Sequence, residues 1–284
     1  MQQKKLHQQL LNNKIVKNTI NIGLEKPLKI LHITDSHLSF CGENDGEGMK
    51  KHSKNRDAVT SKAMLEAELA YGKENCDIIV HTGDLIDFIS KPCVEYAREF
   101  LKDDKILFIA GNHEFWRCDG AREDMAHRFT SLRQIDGGLG VDMYFTSRIV
   151  GGVNFVGIDD SFHQVETSQL IRLKMEVQKG YPVILFMHAP LYEEKLFRQS
   201  DEFWNGELYL TGTDMTLHPE FINDMAAPYT STKEFYDYVI SEPMIKAVLA
   251  GHLHFGFESS LPNGTMQYVT DRGDRGYARE ITII

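Results

Sequence analysis

Five short segments of the sequence carry side chains that bind metal ions, and each follows an apolar run. The segments are Asp35-Ser36-His37, Gly83-Asp84-Leu85-Ile86-Asp87, Gly111-Asn112-His113-Glu114, His188-Ala189-Pro190 and Gly251-His252-Leu253-His254. Their oxygen and imidazole donors suit Mn, Fe, Zn or Ni better than a structural zinc site. Because ligands bind at the carboxyl ends of strands in open α/β sheets, we expect the five segments to converge on one metal centre.

Two pairs of candidate ligands stand two residues apart, Asp35 with His37 and His252 with His254. Side chains two residues apart point the same way in an extended segment. We therefore expect each pair either to hold one ion or to lie across two.

Asp84 follows a glycine, Gly83, which lets the backbone turn sharply. The Asp84 carboxylate is therefore expected to bridge two cations. Taken singly, each segment is also typical of a turn, a helix cap or a buried histidine, as His188 before Ala189-Pro190 illustrates. All five together, in this order and each after a predicted strand, favour a functional site over coincidence.

The elements that must position these side chains alternate along the chain. Short apolar runs rich in β-branched residues predict strands at Lys29–Thr34, Ile78–Thr82, Ile106–Ala110, Val153–Ile158, Val183–Met187 and Ala247–Ala250. Apolar residues at helical spacing predict helices at Ala58–Tyr71, Val94–Leu101, Leu170–Val177 and Phe235–Ile240. Alternating strands and helices indicate a layered α/β domain.

The rest of the chain departs from this alternation. Near the end, two further strands are predicted at 266–270 and 279–284, joined by the turn-rich segment 271–276. The Gly- and charge-rich stretch 41–56 fits a functional loop and a surface insertion equally well. The stretch 192–232 carries aromatic residues that need a packing partner, so we expect a lid or rim there. No linker divides the sequence, which predicts a single domain over 1–284 with these two insertions.

Composition narrows the function classes. Hydrophobic residues make up 42% of the 284 residues, the range of ordinary globular proteins. The formal net charge of −10 disfavours nucleic acid as the partner. The apolar runs are too short to span a bilayer, and no apolar stretch of signal-peptide length is present near the start. We therefore expect a soluble, cytoplasmic protein that acts on a small substrate.

The five segments as a set resemble the calcineurin-like metallophosphoesterase superfamily. The shared pattern is Asp-x-His, Gly-Asp-x-x-Asp, Gly-Asn-His-Glu, a single His and Gly-His-x-His. It runs from Asp35 to His254 and so covers most of the chain except its ends and the two insertions. The resemblance implies a four-layer α-β-β-α sandwich with two mixed sheets, and a metal site at the carboxyl ends of the strands.

The resemblance further implies two divalent or mixed-valence metal ions that share one carboxylate. The ligands of the first ion would be Asp35, His37, Asp84 and His254. The ligands of the second ion would be Asp84, Asn112, His188 and His252.

The reaction implied is hydrolysis of a phosphate ester in a small phosphorylated substrate, by attack of a metal-bridging hydroxide. His113 is not a ligand in the superfamily. It is expected to face the substrate and to protonate or stabilise the leaving oxygen. Asp87 corresponds to the carboxylate that orients this imidazole.

One departure from the superfamily pattern bears on the substrate. Protein Ser/Thr phosphatases of the superfamily carry arginine after Gly-Asp-x-x-Asp and after Gly-Asn-His-Glu, where this chain has Phe88 and Phe115. A dianionic monoester gains more from such an arginine pair than a diester does, so a phosphodiester is favoured slightly. The alternatives are a phosphomonoesterase, a nucleotide pyrophosphohydrolase and a non-catalytic metal-binding scaffold.

Overall fold

The computed structural model describes residues 10–11, 13–118, 125–206, 210–214 and 229–284. The strands of this part, in chain order, are β1 (Ile15–Ile20), β2 (Leu28–Ile33), β3 (Ile78–His81), β4 (Ile106–Phe108), β5 (Phe145–Val150), β6 (Val153–Ile158), β7 (Val183–Met187), β8 (Ile245–Ala250), β9 (Phe257–Ser260), β10 (Met266–Val269) and β11 (Ala278–Ile283). The α-helices are α1 (Glu47–Asn55), α2 (Ala58–Asn75), α3 (Lys91–Leu101), α4 (Met125–Asp136), α5 (Thr167–Val177), α6 (Glu194–Trp204) and α7 (Thr230–Val239). Two short 3-10 helices lie at Asn112–Phe115 and Gly273–Arg275.

The strands form two mixed sheets. The first sheet has the order β1-β11-β2-β3-β4, and the second has the order β5-β6-β7-β8-β10-β9. In the first sheet β2, β3 and β4 are parallel, so their carboxyl ends lie at one edge. In the second sheet β6, β7 and β8 are parallel in the same way. Each sheet therefore presents a row of strand ends from which loops can carry functional groups.

The two sheets pack face to face on one apolar layer. Ile30 and Val80 of the first sheet belong to the same buried cluster as Phe155 and Phe186 of the second. Side chains alternate along a strand, so the neighbouring residues point to the opposite face. The hydrophobic effect of burying a large apolar side chain is worth roughly 1.5–3 kcal/mol, which makes this layer a main source of stability.

Helices cover the outer faces of both sheets. Leu31 of β2 packs in one cluster with Leu65 of α2 and Phe100 of α3. Leu185 of β7 packs in another with Phe235 of α7. The predicted four-layer α-β-β-α sandwich with two mixed sheets is therefore confirmed.

Side-chain caps explain where two of the helices begin. The Asp57 side chain accepts a hydrogen bond from the Thr60 amide at 3.0 Å, which caps α2. Ser90 caps α3 by accepting from the Cys93 amide at 3.2 Å, and Pro92 occupies the first turn. Such caps satisfy amides that have no partner within the helix, and each is worth about 1 kcal/mol.

The structure contains strands and helices that were not predicted from the sequence. The strands predicted from apolar runs are all present near their predicted bounds, whereas β1, β5 and β9 were not predicted. Helix α1 lies inside the stretch 41–56, and α6 lies inside the stretch 192–232. Within the second stretch, residues 207–209 and 215–228 lie outside the described residues. The two strands predicted near the end belong to different sheets, with β10 in the second and β11 in the first.

The 3-10 helix between β10 and β11 supports the loop that follows β2. The Gly273 amide donates to the Thr34 carbonyl at 2.8 Å, and the Asp274 amide donates to the Asp35 carbonyl at 3.1 Å. Behind Gly273 lies the buried Glu68 carboxyl of α2. Neither Glu68 oxygen has a hydrogen-bond partner among the described residues. Burial and the nearby Asp274 raise the pKa of Glu68 well above its usual value.

Candidate metal centre

The five predicted segments meet where the two rows of strand ends face each other. Loops after β2, β3 and β4 bring Asp35, His37, Asp84, Asp87, Asn112 and His113 from the first sheet. Loops after β7 and β8 bring His188, His252 and His254 from the second sheet. The site thus lies across the junction between the sheets.

One group of potential metal ligands consists of Asp35, His37 and His254. The Nε2 atoms of His37 and His254 lie 2.9 Å apart. The Asp35 Oδ1 atom is 3.3 Å from His254 Nε2 and 3.7 Å from His37 Nε2. Asp35 Oδ1 is buried without a hydrogen-bond partner among the described residues, as expected for an oxygen that ligates a cation.

A second group consists of Asp84, His188 and His252. The His188 Nε2 atom lies 3.3 Å from Asp84 Oδ2, 3.1 Å from His252 Nδ1 and 3.0 Å from Asn112 Oδ1. Asp84 Oδ2 also lies 3.9 Å from His37 Nε2 of the first group. The Asp84 carboxylate therefore stands between the two groups.

Hydrogen bonds on the far side of two imidazoles fix which nitrogen faces the centre with a lone pair. His188 Nδ1 lies 2.7 Å from the Thr82 carbonyl and must donate to it. His37 Nδ1 lies 2.7 Å from Asp87 Oδ1 and donates in the same way. In the neutral form, each Nε2 atom then points a lone pair at carboxylate oxygens and other imidazoles. Lone pairs that converge without a donor between them fit a cation, so these residues suit the metal ions that the sequence implies.

The loops that carry the candidate ligands have an uncommon backbone conformation. Left-handed φ values occur at Asp35 (51°), His37 (47°), Asp84 (54°), His252 (69°) and His254 (58°). This corrects the expectation that the paired residues lie in extended segments. A non-glycine residue in this region costs of order 1 kcal/mol, and such strain clusters at functional sites.

Gly83 has the sharp turn expected of it, with a φ of +92°. A Cβ atom at this position would overlap the Gly111 backbone of the adjacent loop. The loops after β2 and β3 also stay hydrogen-bonded beyond the strands, from the Asp35 amide to the Gly83 carbonyl at 3.0 Å. Only glycine permits this close approach of three loops.

Glu114 organises the loop that carries Asp84, a role the sequence analysis did not assign. Its buried carboxylate accepts hydrogen bonds from the backbone amides of Asp84 (2.9 Å), Leu85 (2.8 Å), Ile86 (3.1 Å) and Gly111 (2.6 Å). Burial and the Asp84 carboxylate raise the pKa of Glu114, and the amide donors oppose this. The position of Glu114 beside His113 in the motif was the only sequence signal for this role.

Asp160 holds the loop after β7 of the second sheet in a similar manner. Its Oδ1 atom accepts from the amides of His188 at 2.9 Å and Ala189 at 3.1 Å, and its Oδ2 atom accepts from the Thr211 hydroxyl. Burial raises the pKa of Asp160 to about 6. Its place at the end of the buried strand β6 was the available signal, but its partners are distant in sequence.

Asp87 contacts more groups than the predicted partner His113. His113 Nδ1 lies 3.1 Å from Asp87 Oδ1, the same oxygen that accepts from His37. Asp87 Oδ2 lies 3.0 Å from His52 Nε2 and 3.5 Å from Arg56 Nε. His52 belongs to α1, so the insertion 41–56 reaches the site and is not a separate surface decoration. No sequence pattern singled out His52 or Arg56.

Opposite charges set the protonation of the buried groups. Burial alone lowers the pKa of His188, but the Asp84 carboxylate outweighs it and raises the pKa to about 10. Burial likewise raises the pKa of Asp84, and the His188 and His113 imidazoles outweigh it and hold the pKa well below its usual value. Positive charge is therefore stabilised between these side chains, whether a proton or a metal ion carries it.

A sequence profile of one family matches the chain over residues 28–256 and carries the description calcineurin-like phosphoesterase. The chain belongs to this family. As a calcineurin-like phosphoesterase it is a metal-dependent hydrolase of phosphoric esters, and its His and Asp groups can hold the two divalent metals of the family. The resemblance predicted from the five motifs is confirmed.

Solved structures with a similar fold include several enzymes. A dimetal phosphatase from Danio rerio is 13% identical, with 87% of this chain and 88% of that chain covered and a TM-score of 0.45. The phosphopantetheinyl hydrolase from Mycobacterium tuberculosis is 13% identical, with 89% and 95% covered and a TM-score of 0.46. A putative 5′-nucleotidase from Staphylococcus aureus is 13% identical, with 90% and 51% covered and a TM-score of 0.47. No curated protein matches the sequence significantly. Among the described residues, no helix has the length and apolar character needed to cross a membrane.

Proposed function

We propose that this calcineurin-like phosphoesterase hydrolyses phosphodiesters, with the metal ligands divided into two sets that share Asp84. The first set is Asp35, His37, Asp84 and His254. The second set is Asp84, Asn112, His188 and His252. Of three spatial groups of donors among the described residues, those of Asp35, His37 and His254 and of Asp84, His188 and His252 support this division, as does the place of Asp84 between them. In the third group, Asp87 and His113 join His37.

The observation that carries the diester proposal concerns the described residues: the two family positions that would hold phosphate-binding arginines are phenylalanines, and Arg56 and Arg272 near the metal ligands are each paired with a carboxylate. Phe88 and Phe115, at the positions where related protein phosphatases have arginine, are buried in the core. Arg56 lies near the site but pairs with Asp87, and Arg272 pairs with Asp274. Because a diester carries one negative charge and a monoester carries two near neutral pH, this site favours the diester.

His113 is the proposed catalytic residue. Its side chain is 18% exposed, whereas the side chains of His37 and His188 are fully buried, so His113 can meet a substrate. Asp87 Oδ1 lies 3.1 Å from His113 Nδ1, and this carboxylate favours a ring orientation in which Nε2 is available to the leaving oxygen. A proton donated from Nε2 stabilises the leaving group as the ester bond breaks. Two bound dications supply the field that activates water for attack on phosphorus.

The test compares a diester with a matched monoester. Protein loaded with Mn²⁺ is assayed with bis(p-nitrophenyl) phosphate and with p-nitrophenyl phosphate, and bound metals are counted by mass spectrometry. The proposal expects a higher kcat/KM for the diester and about two metal ions per chain. A higher kcat/KM for the monoester would refute the diester assignment. Two bound ions with turnover of neither compound would favour a scaffold.

A further inference from the structure

The buried Asp87 carboxylate has contacts on both of its oxygens, and the two sets come from different parts of the chain. Oδ1 lies 2.7 Å from His37 Nδ1 and 3.1 Å from His113 Nδ1, on segments that follow strands of the first sheet. Oδ2 lies 3.0 Å from His52 Nε2 and 3.5 Å from Arg56 Nε. His52 lies in α1 and Arg56 follows that helix directly, so the second set comes from the insertion.

Contacts on both oxygens fix the plane of the Asp87 carboxylate. An aspartate carboxylate turns readily about its Cβ–Cγ bond, because this torsion has broad minima. With contacts on Oδ1 alone, Asp87 could turn and so change the direction in which it faces His113. An ionised carboxylate only accepts hydrogen bonds, so His52 Nε2 donates to Oδ2. His52 therefore restrains the carboxylate at the oxygen that does not contact His113.

Trp116 links the two imidazoles a second time. Its ring centroid lies 4.7 Å from that of His52 and 5.2 Å from that of His113. The His52 ring also meets Phe88 edge to face, at a centroid distance of 5.9 Å. Ring contacts of this kind restrain the orientation of the His52 imidazole and keep its Nε2 atom directed at Asp87.

Helix α1 contributes little to the core, which argues that His52 is more than a packing residue. None of the nine residues of α1 is buried. Met49 is partly buried against the outer cluster of the first sheet. The His52 side chain is 22% exposed, and its contacts with Asp87 and Trp116 belong to the site. The loss of this imidazole should therefore cost little stability and alter the site instead.

From these contacts we propose that His52 is a positioning residue, which acts on the leaving group through Asp87 and His113. The inference rests on the proposed role of His113 and adds to it a residue from the insertion. His52 holds Asp87 in the plane that directs His113 Nε2 at the leaving oxygen. The effect of His52 should grow with the need of the leaving group for a proton. Arg56 stays beside the same Asp87 oxygen when His52 is removed, so the loss should be smaller than for removal of His113.

The first test compares two diesters that differ only in the leaving group, methyl phenyl phosphate and methyl p-nitrophenyl phosphate. Phenolate is the more basic leaving group and gains more from a proton. With Mn²⁺-loaded protein, His52→Ala should lower kcat about tenfold for the phenyl ester and much less for the p-nitrophenyl ester, with KM unchanged. Equal losses of kcat for both esters, or a change confined to KM, would overturn the proposal.

Two further variants give matched comparisons. In His52→Gln the side-chain amide offers an N–H donor in place of imidazole Nε2, so kcat for the phenyl ester should return towards the wild-type value. Lys54 is an exposed residue of the same helix, and Lys54→Ala should leave the kcat for both esters unchanged. No recovery in His52→Gln, or an equal loss in Lys54→Ala, would contradict a role that depends on the hydrogen bond to Asp87.

A double-mutant cycle shows whether His52 acts through His113. In the His113→Ala background, His52→Ala should cause no further loss of kcat, because the group that it positions is absent. A tenfold loss that persists in this background would overturn the proposal.

Crystal structures and metal content give readouts that do not depend on turnover. His52→Ala should keep the metal content and the melting temperature of the wild-type protein. Its crystal structure should show the Asp87 carboxylate turned away from His113, whereas His52→Gln should retain the wild-type orientation. An unmoved Asp87 carboxylate in His52→Ala, or a loss of metal from that variant, would rule out the positioning role.

These tests separate the two proposals. If monoesters are preferred to diesters, the diester assignment fails, and a larger loss for phenyl phosphate than for p-nitrophenyl phosphate in His52→Ala still supports the inference. If His113→Ala lowers kcat for the phenyl ester but His52→Ala does not, the role of His113 stands and the positioning role of His52 fails.

Discussion

The two sheets contribute differently to the metal centre. The first sheet supplies all the candidate carboxylate ligands, Asp35 and Asp84, together with Asp87 and the proposed acid His113. The second sheet supplies imidazoles only. The ligands from the first sheet, here called the first half, carry negative charge and can attract cations by themselves. The ligands from the second sheet, the second half, are imidazoles, and their close approach becomes favourable only when a cation lies between them. A bound metal pair should therefore also join the two sheets.

The largest expected effect comes from the carboxylate between the two halves. Asp84→Ala should strip both metals and lower kcat/KM by about 10³-fold or more, because the metal clamp is worth several kcal/mol. Added Mn²⁺ should raise the melting temperature of the wild-type protein and not that of the variant. Metal content, activity and thermal unfolding are measured together. A stable Asp84→Ala protein with two bound ions would contradict the shared-ligand assignment.

A variant at His113 tests whether the first half of the site contributes proton transfer in addition to negative charge. His113→Ala should keep both metals and lose about 10²–10⁴-fold in kcat, because proton donation to the leaving oxygen is removed. The loss should shrink for a diester whose leaving group needs no proton, such as a p-nitrophenyl ester compared with an alkyl ester. Near-wild-type kcat on the alkyl ester would exclude His113 from the mechanism.

Glu114 and Asp160 each position ligands of one half of the site, so substitutions there can weaken metal binding in the two halves differently. Glu114→Gln places an amide NH₂ against backbone N–H donors around Asp84, so the affinity for both ions should fall by about 10–100-fold. Asp160→Ala frees the backbone of His188, so the affinity for one ion should fall by a similar factor. Metal titrations followed by calorimetry distinguish these patterns. Identical loss of both ions in the two variants would show that the halves are not separable.

The smallest expected effect concerns Glu68 behind the first half. Because the pKa of Glu68 is higher in the folded chain than the usual 4.5, the free energy of unfolding should fall as pH rises above about 4.5. Glu68→Gln removes this fall and should stabilise the protein near neutral pH, because its amide carries no charge to bury. Glu66→Gln, at an exposed position of the same helix, is the control. Denaturant unfolding at pH 4.5 and pH 7.5 checks the prediction, and a pH-independent difference from wild type would contradict it.

The sequence predicted the parts of the fold that have strong apolar patterns. Strands such as β6 and β7 are buried along their whole length, so continuous apolar runs marked them. In strand β1 only Ile20 is buried, and α1 has no buried residue at all, so neither has a strong hydrophobic pattern. Their places are decided by contacts with distant parts of the chain.

The candidate site was also only partly predictable from the sequence. Its ligand types and order were readable because each lies directly after an apolar strand. The supporting contacts were not readable, since Asp160 holds the backbone of His188 and His52 reaches Asp87 across long sequence separations. The left-handed backbone at Asp35 was also missed, because Asp and His adopt many conformations and residue type alone did not select this one.

The strand order of the first sheet has a consequence for biosynthesis. Strands β1 and β2 are neighbours in sequence, yet β11 separates them in the sheet, and β11 comes from the far end of the sequence. While the ribosome makes the chain, β1 has no strand to pair with and β2 keeps an open edge. The Asp35 loop also waits for the 3-10 helix at Gly273–Arg275. The pocket at the strand ends is therefore completed only after the segment that carries the 3-10 helix and β11 has been synthesised.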